Sequence, residues 1–251
     1  MLVMLALVVV AVVANGHWSA TSASHSAVDV SGPTSATTPS PSGQGSLTSD
    51  QQSELEQSIG RMRDVVPVDA ATSPQYPAVS SEARQQPDLY AAAFVRELLT
   101  QNYRTSRDQL LAWVQSESAQ STEPLVVGLT PVDLRSMMAV ASVQDGVNGP
   151  SPVPSQSDWA ELARHLGHTT VRIQRVSEPV SWAGAVAKAQ LSDPGVTARQ
   201  VDAEVTLLTM DHGRTTTEHY NVALVINLEG PPVRDGYGFV AAITYNVVKV
   251  R

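Results

Sequence analysis

The sequence predicts an α+β fold, with helices first and long antiparallel strands after them. Three observations carry that prediction. Apolar and polar residues alternate over long runs between Arg199 and Val250, the period of a sheet with one buried face. Between Pro87 and Gly167 apolar residues recur at helical spacing behind capping residues. Large apolar side chains lie almost entirely at the extreme N-terminus or after Tyr90, so one core of about 165 residues is expected, enough to bury roughly 70% of its unfolded surface.

In order, Met1 to Ala14 (MLVMLALVVVAVVA) is continuously apolar. It is short of the roughly 20 residues that span a hydrocarbon core. Two readings stay open: a cleaved signal segment ending at Val12-Val13-Ala14, or an anchor over 1–18 with Trp18 at the interface. No Lys or Arg precedes Arg61, so both lack their positive flank, and a start codon placed too late would account for that. From Ser19 to Ser49 about half the residues are Ser or Thr, with Pro33, Pro39 and Pro41 among them, the composition of a disordered stalk over 19–48. Residues 49–66 predict a short amphipathic helix with a capping box of Ser49 and Gln52 and a stripe of Leu55, Ile59, Met62 and Val66. A Ser-, Pro- and Gln-rich linker over 67–86 precedes a domain over 87–251. Residues up to 86 are therefore expected to add little to that domain's stability.

Within the domain, Pro87 and Asp88 open a helix with Tyr90, Ala91, Phe94, Val95 and Leu98 on one face. A second starts at Thr105 with Asp108 three residues on. Pro124 to Leu129 reads as a strand or buried connector, and Thr130-Pro131-Val132-Asp133 as a helix start, with Asp108 and Asp133 as caps. Asp145 to Pro154 is a loop. Ser155 and Asp158 cap a helix through Trp159 and Leu162 that Gly167 ends. Thr170 to Val176 is the first strand, and Ser181 to Val196 an irregular crossing with its turn at Asp193-Pro194-Gly195.

Three long strands follow. Val201, Ala203, Val205 and Leu207 share a face with Tyr220, Val222, Leu224, Ile226 and Leu228, and with Tyr237, Phe239, Ala241, Ile243, Tyr245 and Val247. Asp211-His212-Gly213-Arg214 makes the first turn, and Gly230-Pro231-Pro232 with Asp235-Gly236 the second. Strands this long need twist, so a bent sheet closing over helices is expected, with Leu224, Ile226, Phe239 and Ile243 packed on Phe94 and Leu98.

The net charge of −8 and scattered basic residues argue against direct nucleic-acid binding, which needs clustered cations. The chain has no cysteine, which excludes disulfides, thiolate metal sites and cysteine nucleophiles. His165 and His168 are separated by the helix-breaking Gly167 and lack a third ligand, and His212 and His219 flank a turn. The predicted buried face holds tyrosines but no Asp, Glu or His, since Asp202, Glu204 and His219 fall opposite. A shielded acid or base is therefore not expected there. No catalytic, cofactor-binding or metal residue is assigned, no cofactor is expected, and the chain reads as a non-enzyme.

The helix start PDLYAAAFVRELL, the strands VDAEVTLLTMDHGRTTTEHYNVALVINL and the closing GYGFVAAITYNVVKV resemble the nuclear transport factor 2-like cone fold, in its exported type. With the apolar N-terminus and stalk, the layout is similar to TcpC-like conjugation proteins, relatives of the VirB-type assembly factors of type IV secretion. The assembly factors' Asn-Pro-x-Gly turn has no match here; Asn148-Gly149-Pro150 departs from it. The resemblance implies a cone of helices on a curved antiparallel sheet. It also implies a single-pass cell-membrane location with the C-terminal domain extracytoplasmic, and a structural role in a conjugative DNA-transfer machine. The partners implied are the membrane, through the N-terminal segment, and other membrane components of that machine, with homo-oligomerisation left open. Two alternatives stand beside it: an exported small-ligand binder or isomerase-like protein using a cone cavity with Tyr220 and Tyr245, and a membrane protein associated with a lipid-import complex.

Overall fold

In the computed structural model, which describes residues 48–65, 76–144, 150–188 and 191–250, the alternating runs form one antiparallel sheet. Its strands β1 (His168–Ser177), β2 (Val196–Asp211), β3 (Arg214–Glu229) and β4 (Gly238–Lys249) lie side by side in chain order. The N-terminal run 1–18, the stalk up to 47, most of the second linker (66–75) and the loop tip 145–149 lie outside the described residues. Among the described residues no helix is long and apolar enough to cross a membrane.

β2 and β3, of 16 residues each, pair without a register shift from Val196↔Glu229 to Asp211↔Arg214. The expected turn closes them. His212 and Gly213 both take positive φ, 47° and 78°, as a two-residue hairpin turn requires. β1 and β4 carry bulges instead: Gln174 is skipped opposite β2, and Val240 and Ile243 opposite β3. Each extra residue bends its strand and increases the local twist.

The inner face is covered by α2 (Pro87–Leu99), which buries Tyr90, Ala91, Phe94, Val95 and Leu98. These pack in one cluster with Val201, Leu224, Ile226, Leu228 and Phe239. The Phe94 ring stacks on Phe239 at 4.3 Å and on Trp113 at 5.1 Å. The same core takes in α3 (Arg107–Ser116), through Leu110 and Val114, and α5 (Met138–Gln144), which lies against β4 and adds Ala139, Val140 and Val143. The core is thus the expected one with two exceptions. Ile243 is unpaired in its bulge, half-buried and outside the cluster. Ala241 pairs with Asn227 on the outer face, because the bulges move β4 off strict alternation.

The helix ends also differ in detail. The capping box of α1 (Ser49–Asp64) is Thr48 with Gln51, one residue earlier than expected. The cap position of α3 is Ser106, while the Thr105 hydroxyl donates to the Asn102 carbonyl; Asp108 lies in the first turn without a cap bond. Pro124–Val127 is the short helix α4, not a strand, with Glu123 as its cap. After Pro131 the chain enters a 3-10 turn, Val132–Met137, and becomes α-helical only at Met138, so Asp133 is no cap. Ser155 caps α6 (Gln156–Arg164) as expected. Leu166, not Gly167, takes the left-handed position after it (φ 53°), and the Leu166 and Gly167 amides close back on Ala163 and Leu162. Gly167 is needed for space: a Cβ there would sit 2.9 Å from the Leu162 carbonyl oxygen.

Two findings change the organisation. The packed unit reaches back past Pro87. Tyr76 and Val79 are buried in the main core, and Tyr76 lies 6.2 Å from the Trp113 ring. α1 docks through Met62 and Ile59 on Leu134, Met138 and Ala141. This packing runs against the expectation that residues up to 86 add little to stability. Moreover, the crossing after β1 contains α7 (Val180–Lys188), which lays Trp182 and Val186 against Val196 and Ala198. Those two residues alternate with Val201 and Ala203, so α7 covers the outer face of the sheet at the end where β3 stops.

Candidate functional site

Three groups of polar side chains result from this arrangement. The first lies on the inner face toward the hairpin. The sheet aligns Tyr220 opposite Val205 and Lys249, with Tyr245 opposite Leu224. Tyr103 meets Trp159 edge-on at 4.9 Å; burial raises its phenol above the ordinary value, and Tyr245 and Tyr220 add to that. Burial pushes Tyr220 and Tyr245 up to about 12. Glu218 pairs with Leu207 on this same face, so the expected absence of acids there is corrected. Glu218 accepts from the Tyr220 hydroxyl and, at 2.5 Å, from Lys249 Nζ, and these partners hold its carboxyl below its ordinary range. At neutral pH the acid is ionised and the phenols protonated. The group is an ion-paired anchor for the end of β4, poorly matched to proton transfer, which wants pKa values near the working pH.

The second group is the exposed outer face of β1, β2 and β3, where Asp202, Glu204 and His219 sit as expected. Arg172 pairs with Glu204, Arg175 Nε donates to Asp202 Oδ2 at 2.8 Å, and Thr206 and His219 share a hydrogen bond of 3.1 Å. Arg172 depresses the Glu204 carboxyl by hydrogen bond and charge. His165 meets Glu161 at 3.1 Å at the end of α6, His168 begins β1, and exposed His212 meets Asp211 at 2.7 Å. Among the described residues no three or more His, Cys, Asp or Glu side chains are placed to hold a metal ion.

The third group, which sequence reasoning missed, is internal. Glu117 is buried at 1% exposure, accepting from Val79 N (3.1 Å), Arg84 Nη2 (2.6 Å) and the Tyr90 hydroxyl (3.2 Å). Glu123, equally buried, accepts from Leu125 N, Ser192 N and Oγ, and Asp193 N at 2.9–3.3 Å. Both carboxylates are satisfied. Glu229 is not: it is 0% exposed, and neither carboxylate oxygen has a hydrogen-bond partner. Desolvation, and then Asp193, push it up to about 7. In sequence Glu229 continues the polar alternation of β3. The signal that it is buried was VSWAGAVAK, an apolar helical segment that has to cover something on that face.

No protein-family model, no curated protein and no solved structure matches this chain. The sheet, its cover and these three groups are therefore the ground for a functional reading.

Proposed function

We propose that this chain is a membrane-tethered, non-enzymatic assembly component of a conjugative, type IV secretion-like DNA-transfer machine. Its domain would be a nuclear transport factor 2-like cone outside the membrane, working by protein–protein contact. Three features support the cone: the sequential antiparallel order of the strands, the bulges that curve β1 and β4, and α2 lying across the inner face. The observation that carries the contact role is the outer face. There Arg172 and Arg175 remain well exposed, at 74% and 67%, beside Glu204 and Asp202 on the sheet surface. Charge pairs of this kind steer encounter and register more than they add affinity. That suits a domain held beside its partner by a tether.

A mating assay tests the reading. Replacing Arg172 and Arg175 by Gln in the full chain should leave stability within about 1 kcal/mol, as exposed pairs contribute little. Transfer frequency should fall by at least tenfold. Wild-type transfer would remove the outer face from the reading. The phenol group of Tyr103, Tyr220 and Tyr245 favours a second reading, a small-ligand subsite on the inner face. A stably folded Tyr245→Ala variant with selective loss of activity would favour it. The same tethered layout would serve a lipid-import complex, and unchanged mating in a deletion strain would point there.

A further inference from the structure

Glu229 ends β3 on the outer face with no donor for either oxygen and no exposure to water. An ionised carboxylate is strongly disfavoured in such a place, whereas a protonated one can donate a hydrogen bond. The groups that face it are few. Asp193 comes from the loop before β2, Ser121 from the connector ahead of α4, and Arg234 from the β3–β4 connection. The Ser121 hydroxyl lies beside Glu229 and favours its charged form, but without hydrogen-bond geometry, and Arg234 is the weakest influence of the set. Glu123 is fully engaged by the Ser192 and Asp193 amides and the Ser192 hydroxyl, which fixes Asp193 in place. Asp193 in turn accepts from Gly195 N at 2.9 Å, and the Gly195 carbonyl accepts from Gly230 N at 3.0 Å. A Cβ on Gly195 would sit 2.7 Å from Glu229 Oε1, so the loop backbone lies directly on the acid.

We propose that Glu229 and Asp193 form a proton-held latch: a shared proton keeps the 191–195 loop, and with it α7, seated on the outer face of the sheet. When Glu229 is protonated it donates to the Asp193 carboxylate. Once ionised, it presents one anion to another with only the neighbouring Ser121 hydroxyl and the weaker Arg234 charge to offset the repulsion, which is relieved by lifting the loop into water. The loop and α7 share their support. Val126 of α4 packs with Trp182 on Val196 and Ala198, and Glu123, which caps α4, holds Ser192 and Asp193. Opening would bare Val196 and Ala198 without touching the main core around Phe94. The device stands apart from the DNA-transfer reading and survives its failure.

Hydrogen exchange of the full chain, followed by mass spectrometry and corrected for the intrinsic effect of pH on exchange, tests it. The folded-state value near 7 against an ordinary 4.5 sets the window. Opening of α7 and of the stretch 191–196 should rise up to tenfold per pH unit between about 5 and about 7 and then level off. Peptides over Val222 to Leu228 should show no matching step. Glu229→Gln should hold the segment closed across the range. Asp193→Asn, which keeps an acceptor for Gly195 N, should move the step to lower pH. A flat wild-type profile, or a step that persists in Glu229→Gln, overturns the latch. If Glu229→Gln does not fold, an unmoved step in Asp193→Asn overturns it. Restored protection at pH 8 on adding Mg²⁺ or Ca²⁺ would also overturn it, since a cation would then be the neutralising partner.

Discussion

Glu117 ties the stretch before Pro87 to the core through three donors from separate places: the Val79 amide, the Arg84 guanidinium and the Tyr90 hydroxyl. Removing one member of a buried pair leaves the others without partners, a loss of about 3–5 kcal/mol. Glu117→Ala should therefore lower stability by about that much in chemical denaturation, and a loss under about 1 kcal/mol would mean that water replaces the carboxylate. Phe239→Ala belongs to the same scale. Its ring is fully buried against Phe94, and truncation should cost about 3–5 kcal/mol. Glu229 acts in the opposite direction with pH. Its folded-state value is raised, so its contribution is fully present below about 4.5 and is lost as pH rises through about 7. The difference amounts to about 3 kcal/mol. Glu229→Gln should be the more stable protein at pH 8 and lose that advantage at pH 5. Equal stability curves at both pH values would contradict the buried, unpartnered acid.

At the scale of elements, the strands were the most legible part, because period-two alternation over β2 and β3 leaves one register that buries Val201, Leu224 and Ile226 together. The α6 cap was legible too, since Ser155 and Asp158 carry their own geometry. What stayed hidden depends on contacts distant in sequence. A bulge such as that at Ile243 adds one residue and changes the face of its neighbours, with no local residue type to announce it. The αL position falls on Leu166 because Gly167 is claimed by the close approach to Leu162. α7 is short and has Gly184 in its middle, so its helicity comes from packing Trp182 on the sheet. Tyr76 and Val79 lie in a Pro- and Ser-rich stretch whose composition alone argues for a linker. A chain shortened to begin at Ser81 loses both side chains, the Val79 bond to Glu117 and the docked stripe of α1. It should melt at least about 2 kcal/mol below one beginning at Ser49, given the usual value of buried apolar side chains. Coincident denaturation curves would show that these contacts add nothing.

For the whole molecule, the proposed tether and the charged outer face belong to one account. On the sequence-based expectation of a Ser/Thr-rich stalk, a tether of that length would average roughly 30–35 Å end to end, holding the domain close to the membrane. At that range the effective concentration at a membrane-bound partner reaches the mM scale, so a weak contact suffices. The most direct measurement is the transfer frequency of a strain in which Met1 to Trp18 is replaced by a cleavable export signal, with export, folding and native abundance of the released domain verified. The account predicts loss of transfer by two or more orders of magnitude, with the domain intact, because the loss of mM-range local concentration is uncompensated. Transfer at the wild-type frequency by the released domain would contradict it.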